Sequence, residues 1–295
     1  MKVLLTGAEG QLGQALIGST PKGIELICTS RKDLDLADQQ ACKNAVLRHK
    51  PDWVLNAGAF TSVDQAESQA SLAQAVNAGA PKAFATALRR QGGRMLQLST
   101  DFVFNGAQGS PYSVEQERNP LGVYGASKAA GEEAVQELLG EQGQGFVLRT
   151  SWVVGPVGRN FALTMLRQHR ERAEIAVVAD QVGCTTSTLN LSRACWQAIL
   201  FKDQGADIPP VMHWCDAGAA SWYDVAVAVG SISKSLGLLD EPAHVKAIST
   251  ADYPTPARRP TYSLLDCCST RARLRLPSQH WREALHDVLQ SIPNP

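Results

Sequence analysis

Neither sign of charge prevails in this 295-residue sequence: 28 Lys and Arg face 28 Asp and Glu, a formal net charge of zero. That balance removes the sequence-independent attraction to phosphate on which nucleic-acid binders rely, so no nucleic-acid partner is expected. Long apolar runs are also missing. No stretch approaches the roughly 20 residues that cross a bilayer. Met1–Thr6 meets a glycine turn after too few apolar residues for a signal peptide. The seven cysteines, Cys28, Cys42, Cys184, Cys195, Cys215, Cys267 and Cys268, are odd in number and contain no C-x-x-C pair. No zinc or redox motif is therefore spelled out, and no metal is expected. H-E-x-x-H, G-x-S-x-G, internal repeats and low-complexity tracts are absent as well. These absences leave a reduced, cytoplasmic protein with no membrane segment. At 44% hydrophobic and 19% charged residues it is not disordered. A chain of this length buries about three quarters of its unfolded surface and needs no disulfide or metal staple. Small-molecule work is what such a protein is suited to.

Short apolar or β-branched runs alternate with helical patterns through the first half. Lys2–Thr6, Ile24–Thr29, Trp53–Asn56, Met95–Ser99 and Phe146–Arg149 read as strands. Gln11–Ile17, Ala41–His49, Ala70–Arg90 and Ala126–Leu139 read as helices between them. Strands separated by helices imply parallel β-α-β units, hence an α/β fold with a doubly wound parallel sheet. After Trp152 the pattern blurs, and prolines gather at Pro209-Pro210 and Tyr253–Pro260. We therefore expect a first domain over residues 1–150, joined by part of 187–230, and a smaller substrate-binding domain made mainly of 151–295. Trp214, Trp222 and Trp281 read as packing residues.

Gly7, Gly10 and Gly13 follow the first strand directly and open a helix, with Gln11 and Leu12 between the last two. A turn without Cβ atoms lets the backbone approach a pyrophosphate, whose charge the helix N-terminus favours. This predicts a dinucleotide cofactor. At the end of the second strand a carboxylate would accept the adenosine ribose hydroxyls and repel a 2′-phosphate. The sequence has Ser30, Arg31 and Lys32 there instead, with Asp33 and Asp35 further on. That favours NADPH, with NADH open as an alternative donor.

Tyr124 and Lys128 are four residues apart at the start of an Ala-rich helical segment, so they share a helix face. A tyrosine with a pKa of about 10 is a sluggish proton donor and acceptor near neutrality. A nearby ammonium group stabilises the phenolate, and the same lysine can donate to a cofactor ribose. Thr100 and Asp101 close the Met95–Ser99 strand, where ligands sit in open α/β sheets. There Thr100 can hydrogen-bond a carbonyl oxygen while Tyr124 delivers the proton.

With these residues in this order, the chain resembles the extended short-chain dehydrogenase/reductase family and, within it, the dTDP-4-dehydrorhamnose reductases. The resemblance covers essentially the whole chain. Besides Gly10–Gly13 it rests on Asn56–Glu67, Val76-Asn77-Ala78, Ser99–Phe104, Arg149–Val153, Asn160-Phe161, Asp180–Gly183 and Arg259-Pro260.

The resemblance implies a Rossmann-type sheet and reduction of the C4 ketone of a dTDP-linked 4-keto-6-deoxysugar, the last step toward dTDP-L-rhamnose, a bacterial cell-surface sugar precursor. Tyr124 is then the proton donor, Lys128 lowers its pKa and holds the nicotinamide ribose, and Thr100 polarises the ketone. Gly10, Gln11 and Leu12 carry over to the pyrophosphate turn, Asp35 and Leu36 to the adenine end, and Ala59, Phe60 and Thr61 to the nicotinamide half. Asp101 and Trp152 fall on the sugar, with Asn160 and Arg259 as candidates for its diphosphate. Phe102, Cys184 and Ser30 depart from residues common in the family. A homodimer stays open. So do two other activities on this fold: a nucleotide-sugar epimerase or dehydratase, and a non-catalytic regulatory subunit.

Overall fold

Runs such as Val3-Leu4-Leu5 and Trp53-Val54-Leu55 are apolar without interruption because their strands are covered on both faces. In the computed structural model, which describes residues 1–292, they lie at the centre of a parallel sheet. The principal strands are β1 (Lys2–Thr6), β2 (Glu25–Thr29), β3 (Trp53–Asn56), β4 (Arg94–Thr100), β5 (Gly145–Thr150), β6 (Glu174–Val178), β7 (Val211–His213) and β8 (His244–Ile248). Six of them form the main sheet in the order β7-β5-β4-β3-β1-β2, every pair parallel. β6 and β8 pair apart from it.

The principal helices are α1 (Gln11–Gly18), α2 (Gln39–His49), α3 (Ala80–Gln91), α4 (Val123–Leu139), α5 (Phe161–Glu171), α6 (Thr188–Asp203), α7 (Trp222–Ser235) and α8 (Trp281–Gln290). Successive strand residues point to opposite faces. Val3, Leu5, Trp53 and Leu55 accordingly pack with α1 and α6, while Leu4 and Val54 pack with α2, α3 and α4. A third core joins α5, α7 and α8 with Val103, Phe104 and Cys184. The doubly wound parallel sheet read from the sequence is the fold observed. β7 and α6, both beyond residue 150, complete the main sheet and one of its covering layers.

One expected helix is interrupted. Ala70–Arg90 is helical at Ala70–Gln74, passes through a π-helical turn at Ala75–Gly79, and resumes as α3. The extra residue of a π turn rotates the helix face, and here it turns Asn77 toward the site described next.

Candidate active site

β1 lies between β2 and β3, so the chain leaves its end at the point where the strand order reverses, the usual ligand position in such sheets. Gly7 holds a left-handed φ of 68°, and a Cβ on it would lie 2.8 Å from the Gly58 backbone nitrogen. A Cβ on Gly13 would lie 2.1 Å from the Gly7 carbonyl oxygen, so α1 approaches the turn as closely as it does only without side chains. Neither a capping side chain nor an acidic residue occupies the start of α1. Its orphan amides and positive dipole end are left for an anion.

A cleft of about 500 Å³ runs from this turn. It brings together Gly7, Gly10, Gln11, Leu12, Gly13, Ser30, Arg31, Ala59, Thr61, Tyr124 and Lys128. An adjoining hollow adds Asp35, Leu36 and Phe60. At the end of β2, both the amide and the hydroxyl of Ser30 donate to Asp33 Oδ2, at 2.9 and 2.7 Å. Those two bonds, with some help from Lys32, hold the Asp33 carboxyl below its usual range. The carboxylate is thus turned into its own loop, and exposed Arg31 forms the cleft wall. A cradle of bare backbone, uncapped amides and a free-standing cation fits a phosphorylated dinucleotide.

The candidate catalytic side chains meet where β4 ends. The Thr100 hydroxyl donates to Asp101 Oδ1 at 3.0 Å and accepts from the Phe102 amide at 3.2 Å. Tyr124 lies in the first turn of α4, its ring edge-on to Phe102 at 5.6 Å. Gly125 makes that approach feasible, since a Cβ there would lie 2.2 Å from the Phe102 carbonyl oxygen. One turn further, Lys128 is buried and donates to the Leu98 carbonyl at 2.6 Å. Asn77 braces the arrangement. Its side chain accepts from the Phe60 amide at 2.9 Å and donates to the Phe60 carbonyl and Ser127 Oγ, each at 3.0 Å.

Burial dominates the electrostatics. It pushes the Tyr124 phenol up to about 12, with the Asp101 charge adding to the rise and the neighbouring Thr100 hydroxyl opposing it. It brings the Lys128 ammonium down to about 8 against the upward pull of Glu132. It raises Asp101 to about 6. With its Nζ on the Leu98 carbonyl, Lys128 does not lower the Tyr124 pKa as the resemblance implied. At neutral pH the tyrosine is a neutral phenol, the form able to give up a proton.

The remaining sequence-read residues lie toward the third core. Trp152, at a left-handed φ of 44°, stacks on Trp222 with ring centroids 3.6 Å apart. Asn160 is the N-cap of α5, accepting from the Leu163 amide at 2.9 Å, and it donates to Gln11 Oε1 at 2.7 Å. Arg259 makes a two-pronged ion pair with Asp64, at 3.1 and 2.8 Å. It also lines a second cavity, of about 700 Å³, together with Phe161, Gln181, Trp222 and Tyr253.

Asn77, Glu67, Asp64 and Trp222 were not read as site residues from the sequence. For Trp222 a signal existed. Ser221 and Asp224 form a capping box that fixes the start of α7 at Trp222. Trp222 packs as read, on Trp152, and is also a cavity wall.

Among the described residues no helix is long and apolar enough to cross a membrane. The family model described as RmlD substrate binding domain matches residues 1–293. The chain is similar to a dTDP-4-dehydrorhamnose reductase of Streptomyces griseus, 37% identical over 98% of this chain and 93% of that protein. Among solved structures it resembles a dTDP-4-dehydrorhamnose reductase from Clostridium acetobutylicum, with a TM-score of 0.88 and 34% identity over 98% of each chain. It also resembles one from Bacillus anthracis in complex with NADP, with a TM-score of 0.87 and 32% identity over 97% of this chain and 98% of that one.

Proposed function

Because the chain belongs to the dTDP-4-dehydrorhamnose reductase family, we propose that it reduces the C4 ketone of dTDP-4-dehydro-L-rhamnose with NADPH, in the cytoplasm. What carries the reading is one juxtaposition: Thr100, Tyr124 and Lys128 converge at the end of β4, beside the cleft that begins at the glycine turn.

Residues 1–150, with α6 and β7, form the cofactor platform, and 151–295 mainly bind the sugar nucleotide. The uncapped amides of α1 receive the cofactor pyrophosphate. Arg31 and Ser30 receive the 2′-phosphate, with Asp33 held aside. Asp35 and Leu36 flank the adenine, and Ala59, Phe60 and Thr61 the nicotinamide. Bound reduced nicotinamide supplies the hydride that C4 accepts. Thr100 donates to the ketone oxygen and polarises it. As the oxygen gains negative charge, Tyr124 transfers its phenolic proton to it, leaving a hydroxyl on C4 and a phenolate. Lys128 stabilises that phenolate as an ammonium group and holds the ribose. Asp101 and Trp152 contact the sugar, and Asn160 and Arg259 lie on the side of its diphosphate.

The test is an assay of the purified chain with dTDP-4-dehydro-L-rhamnose and each nicotinamide cofactor. One NADPH should be oxidised per dTDP-L-rhamnose formed, with NADH the poorer donor. Sugar turnover without net cofactor oxidation would sink the reductase in favour of an epimerase.

A further inference from the structure

The segment Thr61–Glu67 contributes no group to the chemistry above beyond Thr61, yet both of its carboxylates are committed. Val63–Ser68 is a short helical turn, and residues three apart on it share a face. From that face Glu67 Oε1 accepts the Val123 amide at 2.9 Å. It thereby caps α4, whose own N-cap residue, Gly122, supplies no side-chain bond. A Cβ on Gly122 would lie 2.6 Å from the same Oε1, so the glycine is what admits the carboxylate. Tyr124 is the residue directly after the capped amide.

Asp64 grips a different piece of chain. Besides its ion pair with Arg259, its Oδ1 accepts the Ala257 amide at 3.2 Å. Arg259 and Thr255 belong to the wall of the larger cavity. Residues 195 apart in sequence are thereby tied together, and the tie ends one helical turn from the cap on α4.

We propose that Val63–Ser68 is a two-ended strut, in which Glu67 positions Tyr124 through the start of α4 and Asp64 positions the Arg259 wall of the sugar-nucleotide cavity. It rests on the reading of Tyr124 as proton donor and of the larger cavity as the sugar-nucleotide site. Neither Glu67 nor Asp64 touches the reacting atoms. Each acts through another residue, and the two act on different kinetic parameters. Misplacing the donor lowers kcat, since the proton moves only in the transition state. Loosening the cavity wall raises the KM of the sugar nucleotide, since that contact is made equally before and during reaction.

The experiment compares Glu67→Gln, Glu67→Asp and Asp64→Asn in the intact chain, all conservative enough to spare the fold. Glu67→Gln keeps an acceptor at the same reach and should hold kcat within about two-fold. Glu67→Asp keeps the charge but falls a methylene short. Its kcat should drop about five-fold or more, the worth of a lost helix cap, with the sugar KM little changed. Asp64→Asn should raise that KM about ten-fold at unchanged kcat, the cost of breaking a half-buried charged pair.

Hydrogen exchange supplies a readout independent of catalysis. Glu67→Asp should speed exchange at residues 122–126 alone, and Asp64→Asn at 255–259 alone. Equal loss in Glu67→Gln and Glu67→Asp, a kcat effect from Asp64→Asn, or exchange that changes in neither segment overturns the strut. Tyr124→Phe is run alongside. If it keeps turnover while exchange behaves as stated, the proton-donor reading fails and takes with it the positioning role of Glu67.

Discussion

The Lys128 ammonium donates to the Leu98 carbonyl at 2.6 Å from inside the protein. That carbonyl also accepts from Gln97 Nε2 at 2.7 Å, so the backbone oxygen does not depend on the lysine for a partner. The fold thus has no need of the lysine at that carbonyl, and its burial comes at the expense of stability, as its proposed role in the chemistry would require.

Lys128→Met should therefore be more stable than the parent at pH 7 while turnover falls about a hundredfold or more. Burial lowers the ammonium from 10.5 to about 8. Between those values the unfolded chain binds more protons than the folded one, so parent stability rises with pH. The gap between variant and parent melting temperatures should be full below pH 8 and close by about pH 10.5. A gap that ignores pH would contradict the assignment.

Asp101 titrates with the opposite sign. Burial first, relieved in part by Ser263 and Thr100, raises its carboxyl from 3.8 to about 6. Its neutral form therefore contributes stability that is complete below 3.8 and disappears as pH rises through 6. Asp101→Asn cannot ionise, so the stability of the variant relative to the parent should increase from pH 4 to pH 7. Urea midpoints across that range provide the check.

Tyr124→Phe removes the phenolic hydroxyl, the proposed proton donor, and keeps the ring against Phe102. Turnover should fall by roughly a thousandfold, while the NADPH dissociation constant, read by fluorescence titration, stays within about three-fold, less than 1 kcal/mol. Retained turnover would assign the proton to another group.

Asn77→Ala leaves both polar groups of the Phe60 backbone without their side-chain partner. Loss of these part-buried bonds, together with the buried one to Ser127, should cost about 3 kcal/mol. Because Phe60 lines the hollow beside Arg31, NADPH affinity should weaken as well. Unfolding and cofactor titrations that both match the parent would remove Asn77 from the site.

Arg31→Ala should lower kcat/KM for NADPH about ten-fold and leave NADH unchanged, because the 2′-phosphate is the only group that separates the two cofactors. Equal loss with both would place Arg31 outside that subsite.

What the sequence by itself determined is local and periodic. The uninterrupted apolar runs of β1 and β3, the glycines after Thr6, and the spacing of Tyr124 and Lys128 each specify structure within a few neighbours. Strand period, turn sterics and helix period are properties of adjacent residues, and they sufficed for the parallel sheet and for naming the candidate residues at its edge. The break in Ala70–Arg90 was not legible, because a π turn and an α-helix suit the same Ala-rich composition. Packing of Asn77 against Phe60 and Ser127 decides between them. Only the tertiary structure could assign Asn160 to Gln11, 149 residues away, or Arg259 to Asp64. A charged or amide side chain has many chemically equivalent partners along a chain, and only the packing of the layers leaves one of them within reach.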